Sequence, residues 1–320
     1  MTRILVSGGA GFIGSHFAES FISEGHDVLI LDDLSTGSEA NLPKSARLEQ
    51  GKIESERTIN LIKTFRPETI FHFAAQIDVR VSAAQPVHDA QQNIINSLRL
   101  LECGLQNGLR YFAFASSGGA IYGEPQAGPQ DEDHPERPLS PYGVAKLCVD
   151  KYLASFSHQH GLQSCSMRFS NVYGPRQNSR GEAGVVALFI TRALAGLPIR
   201  INGEGTQTRD FIYVQDLARA GELILTHRPQ GILNLGTGIE TSICRLADFL
   251  KAQFPGGLEI SHNPAILGEQ LRSVLDPSRA KRILQWEPTT TLNEGLMATT
   301  HWFADVKNSN ASLSLPTQVS

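Results

Sequence analysis

The sequence predicts an α/β fold in which a doubly wound parallel sheet carries a second region that is smaller and discontinuous. Two observations support this prediction. Short apolar runs, typical of strands buried on both faces, alternate with helical patterns through the first half of the 320 residues. The first of these runs is followed by a glycine turn, an amphipathic helix and a second apolar run, which is the order of a βαβ unit.

The first unit begins with the apolar run 3–7 (RILVS) and continues into residues 8–14 (GGAGFIG). Gly8 permits a tight turn, Gly11 lets a pyrophosphate approach the backbone, and Gly14 allows the helix to pack closely on the strand. Strand, glycine turn and helix in this order predict a dinucleotide-binding site at the turn.

The second apolar run, residues 28–31 (VLIL), ends in Asp32 and Asp33, 24 residues after Gly8. A carboxylate at this place accepts hydrogen bonds from an adenosine ribose and repels a 2′-phosphate. The sequence therefore predicts NAD, in preference to NADP, as the cofactor.

Further elements follow in order along the chain. Residues 69–75 (TIFHFAA), 111–115 (YFAFA) and 164–169 (SCSMRF) are apolar runs that predict strands. A long amphipathic helical stretch covers 86–105, and another helix begins at Pro141.

The second half of the chain is less regular. Residues 124–138 are rich in proline and acidic residues, which predicts a solvated loop. Beyond residue 169, only 211–225 and 232–235 look like a return to the sheet. We therefore predict a dinucleotide-binding domain over residues 1–170, to which residues 209–237 return. A substrate-binding region over the carboxyl ends of the strands covers 171–308, and a disordered tail covers 309–320.

The composition argues against several classes of function. A net charge of −4 gives no basic footprint, so we expect neither nucleic acid nor a membrane surface as a partner. No apolar stretch reaches the ~18 residues of a membrane span. The chain enters a predicted core strand at once, so we expect no signal peptide and a cytoplasmic location. The cysteines lack metal-ligand spacing, which predicts reduced thiols and no metal site. They are Cys103, Cys148, Cys165 and Cys244.

Tyr142 and Lys146 lie four residues apart at the start of a predicted helix, and so on one helix face. A lysine cation beside a phenol, next to an oxidised nicotinamide, lowers the pKa of the tyrosine toward neutrality. The phenolate then takes a proton from a hydroxyl while a hydride leaves the same carbon. The pair follows a run that ends in Ser116 and Ser117, in a chain with a dinucleotide turn. This combination predicts hydride-transfer chemistry.

With these motifs the chain resembles the extended short-chain dehydrogenases/reductases of the nucleotide-sugar epimerase/dehydratase group, and most of all the UDP-hexose 4-epimerases. The match covers residues 1 to about 302 and consists of nine blocks in family order. The blocks are 8–14 (GGAGFIG), 31–37 (LDDLSTG), 72–76 (HFAAQ), 116–123 (SSGGAIYG), 141–146 (PYGVAK), 168–176 (RFSNVYGPR), 203–216 (GEGTQTRDFIYVQD), 234–238 (NLGTG) and 268–276 (GEQLRSVLD).

The resemblance implies a Rossmann fold, bound NAD and 4-epimerisation of UDP-glucose/galactose and UDP-N-acetylglucosamine/galactosamine through a 4-keto intermediate. It also implies a homodimer formed by helices near 88–105 and 142–160. The implied catalytic residues are Tyr142 as base, Lys146 on the nicotinamide ribose and Ser117 as proton relay. The implied NAD-binding residues are Gly8, Gly11, Phe12, Ile13, Gly14, Asp32, Asp33, Ser35, Thr36, Gly37, Ile53, Phe73, Ala74, Ala75, Gln76, Asn93, Ser116, Tyr142, Lys146 and Phe169. The implied substrate-binding residues are Ser117, Asn171, Val186, Arg209, Arg272 and Ser273.

Several positions depart from the family pattern. The usual relay hydroxyl corresponds to Gly118, so Ser117 is the first candidate and Ser116 the second. Lys52 replaces an aspartate that often meets the adenine amine. Asn202 replaces an aromatic residue that stacks on uracil, and Ile266 replaces an arginine on the diphosphate, for which Arg272 is the nearest substitute. The identity of the nucleotide base therefore stays open.

Other reactions of the same scaffold are alternatives. A 4,6-dehydratase of this family carries an Asp-Glu pair where this chain has Gly119 and Ala120, which argues against dehydration. A 2-epimerase stays possible, and so does a protein that binds NAD without turnover. Ser273 matches a position where a bulky residue excludes N-acetylated sugars. Its small side chain predicts that they are accepted.

Overall fold

The computed structural model describes residues 1–126, 128–178, 184–254, 256–266 and 270–310. Gly268, at the start of the ninth motif block, lies outside these ranges, as do residues 311–320 of the predicted tail.

Strands and helices alternate through most of the described chain. The strands are β1 (Arg3–Ser7), β2 (Asp27–Asp32), β3 (Arg47–Gln50), β4 (Thr69–His72), β5 (Tyr111–Ser117), β6 (Gln163–Phe169), β7 (Asn171–Tyr173), β8 (Ile199–Asn202), β9 (Thr208–Tyr213), β10 (Gly231–Leu235), β11 (Glu240–Ser242) and β12 (Ile260–Asn263). The α-helices are α1 (Phe12–Ser23), α2 (Glu56–Phe65), α3 (Val79–Ala84), α4 (Pro86–Ala90), α5 (Asn96–Gln106), α6 (Gly118–Ile121), α7 (Pro141–His160), α8 (Val185–Leu194), α9 (Val214–His227), α10 (Ile243–Gln253), α11 (Ser278–Leu284) and α12 (Leu292–Asn310). A 3₁₀ turn covers Glu39–Asn41.

Seven strands form one parallel sheet in the order β10-β6-β5-β4-β1-β2-β3. The chain runs outward from β1 to β3 and then crosses back to β4, on the other side of β1. The strand order thus reverses between β1 and β4, and open α/β sheets bind ligands outside the carboxyl ends of strands at such a point. The predicted fold class is confirmed.

Alternate side chains of β1, β2, β4 and β5 enter two hydrophobic clusters, one on each face of the sheet. On β1, Ile4 and Val6 join the cluster that contains α1 and α9, whereas Leu5 joins the cluster under α2, α5 and α7. All three side chains are fully buried. Burial on both faces explains why the strands are continuous apolar runs in the sequence.

The first difference from the prediction lies after β4. This strand ends at His72, three residues early, because the N–H groups of Phe73 and Ala74 both donate to Ser7 O and turn the chain. The helical stretch that follows is interrupted as well, since α4 passes into α5 through a π-helical turn, Gln91–Ile95.

The smaller region contains a three-stranded sheet, in which β9 lies between β7 and β11, and the parallel pair β8–β12. We expected residues 209–237 to return to the large sheet. β9 does not, although its Ile212 enters the large-sheet cluster while Phe211 and Tyr213 enter the core of the smaller region. The rest of this segment does return, because α9 packs on α1 and β10 pairs with β6. The domain boundaries themselves stay a prediction.

The acidic segment 124–138 is less solvated than predicted. Gln130 is fully buried and bridges to Leu275, and Glu132 is buried with its Oε1 accepting from Asn234 N at 2.8 Å. The long-range contacts with Leu275 and Asn234 explain the burial.

His72 closes a buried hydrogen-bond chain between β1, β4 and α5. Its Nδ1 lies 2.5 Å from Ser7 Oγ, and its Nε2 lies 2.8 Å from Ser97 Oγ. Ser97 donates its only hydroxyl hydrogen to Asn93 O at 2.7 Å, so it accepts from Nε2–H, and Nδ1 accepts from Ser7. Burial, together with the charge of Lys146, lowers the pKa of His72 to about 3, so the ring is neutral at physiological pH.

We predict that His72 makes the free energy of unfolding depend on pH. The unfolded histidine titrates near 6.5, so from pH 6.5 down to pH 3 the unfolded chain binds a proton that the folded chain excludes. The stabilisation is therefore complete above pH 6.5 and is lost as the pH falls, by ~2 kcal/mol between pH 6.5 and 5. Urea unfolding at several pH values measures this loss.

The matched variants are His72→Gln and, on the exposed end of α7, His158→Gln. His72→Gln should be less stable at pH 7 but should lose roughly 2 kcal/mol less on acidification, whereas His158→Gln should follow the wild type. His16, whose pKa burial lowers to about 4, is present in all three proteins. An unchanged pH dependence in His72→Gln would contradict the prediction.

Candidate active site

Five parallel strands bring the candidate residues to one edge of the large sheet. β1, β2, β4, β5 and β6 end at Ser7, Asp32, His72, Ser117 and Phe169. The predicted cofactor and catalytic residues lie at these ends or in the segments that follow them. Because parallel strands end at the same edge, the fold gathers these residues into one region.

The glycine turn after β1 forms a cradle for an anion. Gly8 has a φ of +69°, and a Cβ there would lie 2.5 Å from Ala74 N. A Cβ at Gly14 would lie 2.3 Å from Gly8 O, so the helix packs directly on the turn. No side chain caps α1 at Gly11, and the N–H groups of residues 12–14 have no intrahelical acceptor. This cradle fits the pyrophosphate of a dinucleotide.

Asp32 and Asp33 have different surroundings at the end of β2. Asp32 is buried, and its two oxygens accept from the N–H groups of Leu34 and Ala10, each at 2.9 Å. Burial raises the pKa of Asp32, while these donors oppose the rise. Asp33 is exposed, and its Oδ1 accepts from Ser35 N at 2.9 Å. The two carboxyl groups beside the turn fit a ribose and disfavour a 2′-phosphate.

The remaining predicted cofactor residues border the same edge. A Cβ at Gly37 would lie 2.9 Å from Asp32 Oδ1, so this segment packs closely on the turn. Phe169 is buried at the end of β6. The predicted cofactor residues that follow β2, β3 and β4 are exposed or partly buried. They are Ser35, Thr36, Ile53 and residues 73–76.

Asn93, in the π-helical turn, holds the segment after β4. Its Oδ1 accepts from Gln76 N at 2.9 Å, and its Nδ2 donates to Gln76 O at 2.9 Å and to Asp89 Oδ1 at 3.0 Å. Gln76 Nε2 donates to the same Asp89 oxygen at 2.9 Å. These bonds support an indirect role for Asn93, through Gln76. A direct contact between Asn93 and the cofactor stays a prediction.

Tyr142 and Lys146 meet beside the end of β5. Ser140 caps α7, which begins with Pro141 and carries both residues in its first two turns. Lys146 is buried, and its Nζ donates to Ala115 O at 2.8 Å. The same Nζ lies 5.6 Å from the centre of the Tyr142 ring. The structure therefore brings together the pair that the sequence spacing predicted.

The fold adds two contributions to the electrostatics of the pair that the sequence spacing does not show. Burial raises the pKa of Tyr142, and the charge of Asp89 raises it further, so the protein's own groups favour the protonated phenol. Burial lowers the pKa of Lys146 to about 8, against Asp150 and Asp89, which raise it. A tyrosine pKa near neutrality therefore requires positive charge in addition to that of Lys146.

The two serines at the end of β5 face opposite sides of the sheet. Phe112 and Phe114 lie in the cluster under α7, and strand alternation places Ser116 on that face. Ser116 is buried beside Asp150, and its Oγ makes no hydrogen bond of ordinary length to another described residue.

Ser117 caps α6 from the end of β5. Its Oγ accepts from Ala120 N at 3.3 Å and keeps its own hydrogen free to donate. A Cβ at Gly118, where the family carries the relay hydroxyl, would lie 2.6 Å from the Leu275 side chain. A serine at position 118 would therefore displace Leu275, so Ser117 and Ser116 stay the candidates for the relay.

Three predicted substrate residues lie in the smaller region. Asn171 pairs with Phe211 between β7 and β9, and Arg209 pairs with Thr241 between β9 and β11. Val186 is 1 % exposed in the first turn of α8 and packs in the core of this region. Their contacts with a substrate stay a prediction.

Arg272 and Ser273 have contrasting surroundings. The guanidinium of Arg272 pairs with Glu240, with Nε 3.1 Å from Oε2, and Thr208 Oγ1 donates to the same oxygen at 2.7 Å. A diphosphate must therefore compete with Glu240 for Arg272. Ser273 is buried, and its Oγ lies 3.3 Å from the place of a Cβ on Gly119. Ser273 thus lies against the segment that follows β5.

Three buried charged residues of the described chain that lie near this site are not among the predicted site residues. They are Asp89, Asp150 and Arg168. Asp89 lies four residues before Asn93 and Asp150 four residues after Lys146, so helical spacing from residues already chosen would have found them. Arg168 opens one of the motif blocks, but its contacts depend on the tertiary fold.

Among the described residues, no group of three or more His, Cys, Asp or Glu side chains is placed to hold a metal ion. None of their helices is both long and apolar enough to cross a bilayer.

Comparison with known proteins places this site in context. A model of the NAD dependent epimerase/dehydratase family matches residues 4–236. The UDP-glucose 4-epimerase of Mycolicibacterium smegmatis is 38% identical over 94% of this chain and 98% of its own length.

Solved structures of two epimerases superpose closely on this chain. UDP-glucose 4-epimerase from Thermotoga maritima, solved with UDP-glucose, superposes with a TM-score of 0.93 at 41% identity, over 95% of this chain and 99% of that chain. UDP-N-acetylglucosamine 4-epimerase from Methanobrevibacter ruminantium, solved with UDP-N-acetylmuramic acid, gives a TM-score of 0.90 at 31% identity, over 95% and 99%. The resemblance seen in the sequence is confirmed, and with it NAD as the cofactor. The chain belongs to the NAD dependent epimerase/dehydratase family.

Proposed function

We propose that this chain is a 4-epimerase of UDP-sugars that acts on UDP-glucose and UDP-galactose and on their N-acetylated counterparts. The observation that carries the proposal is the meeting of Tyr142 and Lys146 at the sheet edge that also holds the dinucleotide turn. Relatives named as UDP-glucose 4-epimerases, which match over almost the whole chain, support the choice of nucleotide sugar and of reaction.

Each residue of the pair has a distinct role in this proposal. Tyr142 takes the proton of the C4 hydroxyl, with Ser117 as the relay, and gives it back to the oxygen of the 4-keto sugar. The glycine turn of residues 8–14 would hold NAD⁺, which would supply the acceptor of the C4 hydride and its donor on the opposite face of the sugar. Lys146 holds the nicotinamide ribose, and its cation favours the phenolate that accepts the proton. Burial and Asp89 favour the phenol and so help to return the proton.

Dehydration is less well supported than epimerisation. Gly119 and Ala120 lie in α6, where a dehydratase of this family carries its acid and base, and neither ionises. A protein that binds NAD without turnover would have no use for the close pair of Tyr142 and Lys146. A 2-epimerase stays the alternative, because these residues fix the machinery and not the reacting carbon.

The substrate side of the proposal is less specific. Asn171, Arg209 and Arg272 are proposed to hold the diphosphate, and Ser273 to border the sugar. The proposal of uracil rests on the relatives and not on Asn202, whose Oδ1 accepts from Asn263 Nδ2 at 3.3 Å, or on Ile266, which is exposed.

We also propose a homodimer through α4, α5 and α7. Large apolar side chains on α4, α7 and the π-helical turn are in contact with water in a monomer, which favours a covering partner. They are Val87, Ile95, Val144 and Tyr152, which are 83%, 40%, 52% and 41% exposed. A cytoplasmic location stays a prediction from the sequence.

Tyr142→Phe tests the proposed reaction. Phenylalanine keeps the ring and removes the hydroxyl that carries the proton. We expect conversion of UDP-glucose to UDP-galactose, measured without added cofactor, to fall by ~10²–10⁴-fold. The NAD released by denaturing the variant should match the wild type.

The controls separate catalysis from folding and identify the relay. Tyr152→Phe, on the exposed side of the same helix, should keep wild-type turnover. Ser117→Ala should lose more activity than Ser116→Ala, and the reverse order would assign the relay to Ser116. Near-normal turnover in Tyr142→Phe would rule out the proposed mechanism. Release of NADP alone from the denatured protein would rule out NAD as the cofactor.

Ser273→Tyr tests the proposed sugar preference. The wild type should act on UDP-N-acetylglucosamine at least as well as on UDP-glucose. Since steric exclusion costs more than a lost contact, the tyrosine should suppress the N-acetylated reaction and spare the plain hexose. The measurement is the initial rate of wild type and variant on UDP-N-acetylglucosamine and on UDP-glucose. Equal loss on both, or no change on either, would show that Ser273 does not border the N-acetyl group.

A further inference from the structure

Helix α7 carries a third polar residue in line with the pair. Tyr142, Lys146 and Asp150 are successive residues four apart, so their side chains lie on one face of the helix, about one turn from each other. Lys146 and Asp150 are 3% and 4% exposed. Burying a lysine and a carboxylate on one helix face lowers the free energy of unfolding unless other groups compensate the two charges.

Arg168 of β6 compensates the carboxylate. Its Nε and Nη2 donate to Asp150 Oδ2 at 3.0 and 2.9 Å, and the arginine is fully buried. Nη2 also donates to Glu136 Oε1 at 2.6 Å, and the guanidinium carbon lies 4.8 Å from the centre of the Tyr122 ring. Burial by itself lowers the pKa of Arg168, but Asp150 and its other partners raise it above the usual value, so Arg168 is cationic.

The ammonium group of Lys146 has fewer partners. Its Nζ donates to Ala115 O at 2.8 Å and lies 4.6 Å from the centre of the Phe114 ring. One carbonyl and one aromatic face do not replace the water that a buried ammonium loses, so nearby negative charge is needed to keep it protonated.

Among the described residues, the charged and titratable groups that act on Lys146 come from three elements. Asp150 lies one turn along α7, and Asp89 lies on α4, and both raise the pKa of Lys146. Tyr142 lies on α7 and His72 ends β4, and burial keeps both neutral at physiological pH. Only the two carboxylates therefore favour the cation.

We propose that Asp150, held by Arg168, is a positioning residue that keeps the buried Lys146 cationic at neutral pH. The orientation matters because the two bonds from Arg168 fix one carboxylate oxygen and leave the other without a hydrogen bond of ordinary length to a described residue. The carboxylate acts through space on Lys146 and not on the substrate. This inference rests on the proposed role of Lys146, but it is tested on the lysine itself.

The experiment is a pH titration of the Lys146 side chain in the whole protein. The protein is labelled with ¹⁵N-lysine, and the Nζ resonance of Lys146 is assigned by its loss in Lys146→Arg. The wild-type midpoint is expected at about 8. Asp150→Asn keeps the size of the side chain and removes its charge, so the midpoint should fall by about 1–2 units. The high-pH limit of epimerase activity should move down with it.

Three further variants separate charge from packing. Asp150→Glu restores the charge and should keep the midpoint near the wild type. Glu136→Gln is the matched control, because it also weakens the surroundings of Arg168 but does not face Lys146, so the midpoint should stay. If Asp150→Asn does not fold, Asp150→Asn combined with Arg168→Met removes both buried charges, and a smaller fall in the midpoint is expected.

The outcomes distinguish this inference from the proposed function. An unchanged midpoint in a folded Asp150→Asn protein overturns the inference, and so does an equal shift in Glu136→Gln. If the wild type converts no UDP-sugar, the proposed function fails, while the Nζ midpoints still decide the role of Asp150.

Discussion

The approach of the Gly8 turn to the segment after β4 is the constraint on which the rest of the site depends. Ser7 O accepts from the N–H groups of Phe73 and Ala74 at 2.8 and 3.1 Å, and the glycine leaves no room for a Cβ between the two segments. The same segment is held from its other end by Asn93, through both backbone groups of Gln76. The dinucleotide turn and the helices that border Tyr142 are therefore fixed by hydrogen bonds and not by apolar packing alone.

A second property of the site is the number of polar groups buried on one face of the sheet. His72, Asp89, Lys146 and Asp150 are all at most 4% exposed. Burial of such groups disfavours folding unless each has a hydrogen-bonding or oppositely charged partner. A substitution that removes the partner leaves a buried polar group uncompensated. Those partners are Ser7, Gln76 and Arg168, which donate to His72, Asp89 and Asp150, and Ala115, whose carbonyl oxygen accepts from Lys146. The arrangement stabilises one geometry of the site at the expense of tolerance to substitution.

Sequence patterns predicted the features that depend on residues close together in the chain. The glycine turn and the Tyr142–Lys146 pair are each set within seven residues of sequence, so the sequence placed them, and the parallel sheet followed from the alternation of apolar runs and helices. The strand pairing of β9, the burial of Glu132 and the pairing of Arg272 with Glu240 depend on contacts between residues 30 or more apart. Periodicity carries no signal for such contacts. Burial and the charge of Asp89, which both raise the pKa of Tyr142, enter only through the tertiary fold, so the spacing of Tyr142 and Lys146 carries no signal for them.

The π-helical turn Gln91–Ile95 limits how this part of the chain can change in evolution. A turn closed by bonds five residues apart holds more residues than an α-helical turn, so side chains four apart come closer to alignment. Asp89, Asn93 and Ser97 are spaced in this way, and all three point into the same network. Removing one residue would restore a regular helix and rotate one side of it by about 100° relative to the other. Insertions and deletions of a single residue should therefore be absent here in relatives that keep this network, whereas loops nearby are free to vary in length.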